Sequence, residues 1–384
     1  MKHQVKMGLA YTADIIALPF VYSTAYMSKF KTVDKRSIFM GTMPTSPLTM
    51  VRDGLRQKGY KVDYIVHRAP SHQTNITYDT PTKIMFLPSY IRDYLIFVKA
   101  TWNYHIFIMP FLDRILDRHP ILRWYELPTL KRIGKKIILN SYGYDVMTPK
   151  KTLDTKNYKH SILEGYEKSP RYSKVNEEYI AKNRAYCERY ADHIISALDQ
   201  AEYLSRIDSR FHMRCVDTEA IIPKYKTGNK IVRIIHATNH TDLKGTEYLI
   251  KAVKELKNEG EKIELVFIEK QSRDKVLEAI ANADIVADQF IIGAYGNFAI
   301  EGMAYGKPVL CYLRENLKQW NPWWNECPIV NTTPEELKQN IKILTHSKQM
   351  RIKIGKQSRE YVEKYHLVDY VVSRLVNIIK EVDK

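Results

Sequence analysis

The sequence predicts an α/β protein built from two doubly wound domains of similar size. Short apolar runs that suit buried parallel strands alternate with stretches of helix-forming composition along most of the chain. The alternation breaks around Pro223 to Lys230, where Pro, Gly and Asn interrupt the periodicity of IPKYKTGNK. At 384 residues, either side of that break is long enough for its own core.

Composition narrows the partners. With 60 basic against 43 acidic residues the net charge is +17, which favours an anionic partner: nucleic acid, a membrane face or a phosphorylated substrate. The basic residues are scattered and show no RNA-binding or zinc-finger signature, which argues against nucleic acid. Cys187, Cys215, Cys311 and Cys327 form no CxxC pair, so neither a disulfide framework nor a zinc site is indicated, and a reducing cytoplasm fits.

Residues Met7 to Met27 are the most apolar part of the first 36 residues, and Lys29, Lys31, Lys35 and Arg36 follow. Asp14 and Pro19 weaken a membrane span, and the lack of a clean apolar centre weakens a signal peptide. Two readings stay open: a segment lying on a membrane surface, or an extra helix packed on the first domain.

The first domain is expected over residues 37–223. It opens with a strand, SIFM, then the loop GTMPTSP from Gly41 to Pro47, a helix ending at Gly59 and the strand KVDYIV. The loop stands where doubly wound folds bind phosphate, yet it has neither GxGxxG nor GK[ST], which disfavours a dinucleotide-dependent dehydrogenase or a P-loop enzyme. Tyr90 to Phe111 is aromatic and aliphatic, with IFIMPF alternating like a core strand and His105 at the strand's start; a Lys- and Arg-rich stretch to Lys136 follows. KKIILNSYGYDV reads as a buried strand that turns at Gly143, which would set Tyr142 and Asp145 on a cleft edge. An amphipathic helix, Glu177 to Tyr190, and the strand in ADHIISAL complete this half before a linker at 224–230.

The second domain, 231–367, begins with the strand IVRIIHA, the loop TNHTDLKG and a helix from Thr246 to Glu259. KIELVFI, SRDKVLEAIA and then Ala283 to Leu310 follow, the last reading as strand, glycine loop, helix and strand. Ligands bind beyond the C-terminal ends of such strands, and a helix N-terminus there offers amides to an anion. Glu301 falls one turn into that helix, within reach of a ribose. A helix near Pro334 to Leu344 and a terminal helix over 368–384 close the chain.

HATNHTDLKGTEYLIKAV (His236 to Val253), ADIVADQFIIGAYGNFAIEGMAYGKPV (Ala283 to Val309) and, more weakly, LPTLKRIGKKIILNSYGYDV (Leu127 to Val146) together resemble the GT-B glycosyltransferases, in particular retaining glycosyltransferase family 4. The resemblance implies the GT-B fold: two Rossmann-like doubly wound domains facing a central cleft. It implies a nucleotide-diphospho-sugar as co-substrate, with no cofactor and no metal. Lys244 would meet the diphosphate, the amides at Gly296 and Asn297 would cap it, Glu301 would hold the ribose, and Asn239 and Gly293 would complete the donor site. Gly41 and Thr42 would form the acceptor-side loop.

The sequence departs from the family at three points. Gly293 stands where the first of the family's paired glutamates belongs, with Asp288 nearby to take over part of its work. No second basic residue accompanies Lys244, and Tyr142 replaces the His that usually precedes Gly143. Asp145, Tyr142 and Asp288 are therefore the candidate catalytic groups.

The expected reaction moves a sugar to an acceptor hydroxyl with retention, in surface polysaccharide or glycolipid synthesis, the donor phosphate taking the proton. The acceptor is expected to be lipid-linked or a glycan, and the protein peripheral on the inner face of a membrane. A GT-B nucleotide-sugar epimerase and a non-catalytic GT-B-like binding subunit are the alternatives.

Overall fold

Two parallel β-sheets, one in each half of the chain, present the C-terminal ends of their strands to a shared cleft. The structure is a computed structural model that describes residues 2–66, 77–79, 87–148, 176–225 and 230–384; residues 226–229 of the expected linker lie outside them.

In chain order the first half contains α1 (Lys2–Met27), β1 (Ser37–Thr42), α2 (Ser46–Gln57), β2 (Lys61–Val66), α3 (Ser89–Asn103), β3 (Ile106–Pro110), α4 (Arg123–Arg132), β4 (Lys136–Asn140), α5 (Glu177–Tyr190), β5 (His193–Ser196) and β6 (Ser209–Arg210). Its sheet runs β2-β1-β3-β4-β5-β6, with every pair parallel. Side chains alternate between faces with a period of two, so Ile38, Met40, Ile106 and Ile108 pack on one side and Phe39, Phe107 and Met109 on the other. Both faces are buried, as a wholly parallel sheet requires.

The second half contains β7 (Val232–Ala237), α6 (Thr241–Lys244), α7 (Thr246–Asn258), β8 (Ile263–Ile268), α8 (Arg273–Asn282), β9 (Ile285–Ala287), α9 (Asn297–Ala304), β10 (Val309–Cys311), β11 (Val330–Asn331), α10 (Leu337–His346), α11 (Lys348–Tyr365) and α12 (Val368–Val382). Its sheet order is β11-β10-β9-β7-β8, again all parallel. The apolar run of α9 lies directly on β9: a Cβ at Gly302 would stand 2.9 Å from Val286 Cγ2.

Each sheet reverses its strand order once, between β1 and β3 and between β7 and β9. Those reversals open the crevices in which open α/β sheets bind ligands, and here the two face each other.

On three points the structure adds to the sequence reading. The opening apolar segment is a helix packed on the first half: Asp14 is fully buried in α1 and takes hydrogen bonds from Tyr94 Oη (2.8 Å), Ile121 N (2.8 Å) and Leu122 N (3.2 Å), with His119 Nδ1 at 2.9 Å. Among the described residues no helix is long and apolar enough to cross a membrane. The eighteen-residue helix α11, which no sequence signal singled out, precedes the terminal helix. That terminal helix, α12, returns to the first half and packs on α2, where a Cβ at Gly54 would stand 2.6 Å from Val372 Cγ2.

Candidate donor and acceptor cleft

The loop after β1 forms one wall of the cleft. Tyr64 fixes it from the neighbouring strand, accepting from Thr45 N at 3.0 Å and donating to the Met43 carbonyl. Burial pushes the Tyr64 hydroxyl up to about 12, which keeps it protonated as that donor. Gly41 and Thr42, expected in this loop, are instead the buried last residues of β1, and the Thr42 hydroxyl donates to the Asp113 carbonyl. Met43 to Pro47 line the cleft in their place.

Two cavities meet there. The first, of about 320 Å³, is bounded by Thr45 and Ser46, by Asn239 after β7, by Lys270 and Arg273, and by Asn297 and Glu301 of α9. The second, of about 500 Å³, is bounded by Asn140 and Tyr142 after β4, by Asp199, His212 and Arg214, and by Gln289, Gly296 and Asn297 after β9. They share Thr45, Pro47 and Asn297, so the two chambers join at the N-terminus of α9. Among the described residues no side chain caps that helix. Its first amides and the positive end of its dipole face the junction.

Lys244 stands beside the same point. Its Nζ lies 2.6 Å from Asp288 Oδ1, while Asp288 Oδ2 accepts from Gly296 N at 2.9 Å. Asp288 is fully buried, and it sets the lysine and the start of α9 with one carboxylate. The Gly296 amide, expected to be open to a ligand, is thus taken. A Cβ at Gly296 would stand 3.7 Å from Lys244 Nζ, which shows how closely the cation borders the junction.

Glu301 lines the first cavity and is paired with Arg273, Nε to Oε1 at 2.8 Å. Burial raises the Glu301 pKa, and Arg273 opposes that rise. Asn239 lines the same cavity and accepts from Lys270 N at 2.9 Å, tying the β7 loop to the end of β8.

Gly293 is shaped by its neighbour. Its φ is +81°, and a Cβ would meet Arg314 Cγ at 2.0 Å. Arg314 donates to the Ile292 carbonyl at 3.0 Å and to both oxygens of Glu202 at 2.9 and 3.0 Å, so an ion pair between the halves fills the room that an acidic side chain at 293 would need.

Tyr142 lines the second cavity, but Asp145 does not reach the cleft edge. Its carboxylate is buried behind the turn and accepts from Gly143 N (2.8 Å), Tyr142 N (2.9 Å) and Phe111 N (3.3 Å). Burial raises its pKa to about 6. It orients the turn that presents Tyr142.

The second cavity holds polar groups with unused capacity. Asn140 Oδ1 and His212 Nε2 are buried and have no hydrogen-bond partner among the described residues. Asp199 accepts from Gln200 Nε2 at 2.5 Å, and Arg214 donates to the Tyr295 carbonyl at 2.9 Å. Buried polar atoms left unpaired are costly, so such a wall suits a ligand that brings hydroxyl groups. Arg273, Lys270, Arg214, Asp199 and Asn140 were not singled out from the sequence, where nothing separates them from other polar residues at strand and helix ends. The bend after β5 could have drawn notice only through its geometry, Leu198 having φ +56°.

The fold is shared with solved structures at low sequence identity. A sucrose-phosphate synthase from Thermosynechococcus elongatus is 12% identical with a TM-score of 0.57, covering 90% of this chain and 98% of its own. A glycosyltransferase from Rickettsia africae is 14% identical with a TM-score of 0.54, covering 92% and 99%. S. aureus MnaA, solved with UDP, is 16% identical with a TM-score of 0.50, covering 90% and 96%. The architecture is accordingly GT-B: two Rossmann-like α/β domains about a cleft. No protein-family model and no curated protein sequence matches the chain.

Proposed function

We propose that this chain is a retaining glycosyltransferase of the family 4 type, moving a sugar from a nucleotide-diphospho-sugar to an acceptor hydroxyl. The reading is carried by the junction of two chambers at a helix N-terminus without a side-chain cap, with Lys244 held next to Gly296 by Asp288. The nucleoside occupies the first cavity, its ribose hydroxyls accepted by Glu301 and its base between the β1 loop and the Lys270 to Arg273 segment. The diphosphate lies at the junction, where a cation and helix amides suit two negative phosphates. The sugar and acceptor share the second cavity.

In this reaction the bond from the anomeric carbon to the diphosphate oxygen breaks, and a bond to the acceptor oxygen forms on the same face. The acceptor proton passes to the departing diphosphate. The protein's part is to stabilise the negative charge growing on that leaving group, which preorganised donors do at little reorganisation cost. Lys244 and the α9 amides perform that part. Asp288 and Asp145 act as positioning residues, and Tyr142 contacts the sugar or acceptor. Asp199 and Asn140 supply hydrogen-bonding groups for hydroxyls in the place of an acid at 293.

The acceptor is a lipid-linked or glycan hydroxyl at the cytoplasmic face of a membrane, in surface polysaccharide or glycolipid synthesis. Incubation with nucleotide-sugars, with and without a short-chain lipid acceptor, tests the reading. Transfer with retained configuration supports it. Release of a rearranged free sugar supports an epimerase, and binding without turnover supports a non-catalytic subunit.

A further inference from the structure

The exposed large apolar side chains are unevenly placed. Among the described residues, eight of eighteen fall between Leu9 and Phe30, including Ile16 (74% exposed), Phe20 (68%) and Phe30 (81%). Leu9, Ile16, Phe20 and Met27 recur at helical spacing along one stripe of α1, opposite the side that buries Asp14, Val21 and Ala25. Helix α3 packs on α1 through Trp102 Nε1, which donates to the Thr24 carbonyl at 3.0 Å. An exposed apolar stripe of this kind marks an interaction surface.

Its charge identifies the partner. From Gly8 to Val33 the one acidic residue is Asp14, which is buried. Lys29 and Lys31 are exposed at the end of the stripe, their amines 5.9 Å from the ring centres of Tyr26 and Trp102, and Arg132 reaches over to the Tyr22 hydroxyl at 2.9 Å. Aromatic rings with cations beside them suit the headgroup layer, where apolar side chains enter the acyl boundary and lysines meet lipid phosphates. Two copies of this chain meeting through the same face would bring like charges together.

We infer that the exposed stripe of α1, with Phe30 and the Lys29 and Lys31 rim, docks flat on an anionic phospholipid bilayer. The surface has a structural link to the cleft. The segment after β3 carries both His119, bound to Asp14 of α1, and Asp113, whose carboxylate accepts from Tyr144 Oη at 2.5 Å; Tyr144 lines the second cavity. Docking would therefore set the acceptor chamber at a fixed height over the headgroups. The docking itself does not depend on sugar transfer.

Flotation of the full chain with vesicles of phosphatidylcholine alone and of phosphatidylcholine with phosphatidylglycerol tests this. The native chain should float with the anionic vesicles and release as salt rises. The variant Phe20→Ser/Phe30→Ser should partition at least about tenfold less, given the apolar burial lost. Lys29→Glu/Lys31→Glu should lose the preference for the anionic vesicles. All four positions are exposed, so unchanged melting curves would show that folding is intact. A native chain that ignores anionic vesicles overturns the inference. So does a native dimer that Phe20→Ser/Phe30→Ser converts to monomer without any vesicle binding by the native chain, which would make the face a contact between copies. Neither result would alter donor binding, which is measured without vesicles.

Discussion

Lys244 and Asp288 form an ion pair of 2.6 Å at the point where the two halves of the cleft join, and the second oxygen of Asp288 holds the amide of Gly296. The pair keeps a positive group fixed at the start of α9 before any ligand arrives. Lys244→Ala should weaken nucleotide-diphospho-sugar binding by about 1.5–3 kcal/mol, the usual worth of a hydrogen bond to a charged group. Calorimetric titration of native and variant chains with the same nucleotide-sugar measures it; equal affinities would remove Lys244 from the site.

Glu301 is poised differently, because Arg273 already holds one of its oxygens at 2.8 Å. If the carboxylate accepts ribose hydroxyls, Glu301→Ala should weaken a ribonucleotide ligand by about 1.5–3 kcal/mol. It should also erase discrimination against the deoxy counterpart. A variant that binds less tightly but still discriminates would place the ribose elsewhere.

Gly293 has no room to be anything else. Gly293→Ala must adopt a positive φ and push into Arg314, at a cost of about 1–3 kcal/mol. Gly293→Glu, which restores the acid found in the resembling family, should destabilise the fold and not raise activity, because Arg314 and Glu202 occupy its space. Chemical denaturation with activity assays decides, and a stable, more active Gly293→Glu chain would show that the site has room for an acid at 293.

His366 sits where the chain crosses back between the halves, near Arg214 O (3.1 Å) and Tyr295 Oη (3.3 Å) and stacked on His212. Burial lowers its pKa from 6.5 to about 4. Between those values the unfolded chain binds a proton that the folded chain does not, so stability present above pH 6.5 is lost as pH falls towards 4. The contribution is on the order of 3 kcal/mol. Buried Asp145, raised to about 6, acts in the opposite sense, so the test is a difference. Denaturation of native and His366→Asn chains across this window should show a shallower loss on acidification in the variant; parallel curves would refute the assignment.

The sequence made the strands legible because a parallel sheet buried on both faces leaves uninterrupted apolar runs such as IFIM and IIL, and Gly306 with Pro308 stops α9 unambiguously. Lys244, Asn297 and Glu301 could be placed because each lies inside a local strand-loop-helix unit, Lys244 after β7 and the other two after β9. The second cavity could not be read, since Asn140, Asp199 and Arg214 come from distant segments that only the packing of the two halves brings together. The replacement of an acid by Arg314 and Glu202 at Gly293 was equally hidden: the pair spans 112 residues of sequence. The stripe on α1 was visible as apolar composition, but which side faces outward depended on Asp14, whose partners near His119 no local pattern announces.

A nucleotide-diphospho-sugar bound across the junction at the start of α9 would hold the two halves together, and thermal denaturation with a panel of such compounds measures that. A ligand confined to the native state stabilises it by about 2.7 kcal/mol at a hundred times its Kd. At least one nucleotide-sugar should raise the Tm of the native chain, and the rise should shrink in both Lys244→Ala and Glu301→Ala. A native chain whose Tm no member of the panel moves, or a rise of equal size in both variants, would remove the donor from this junction.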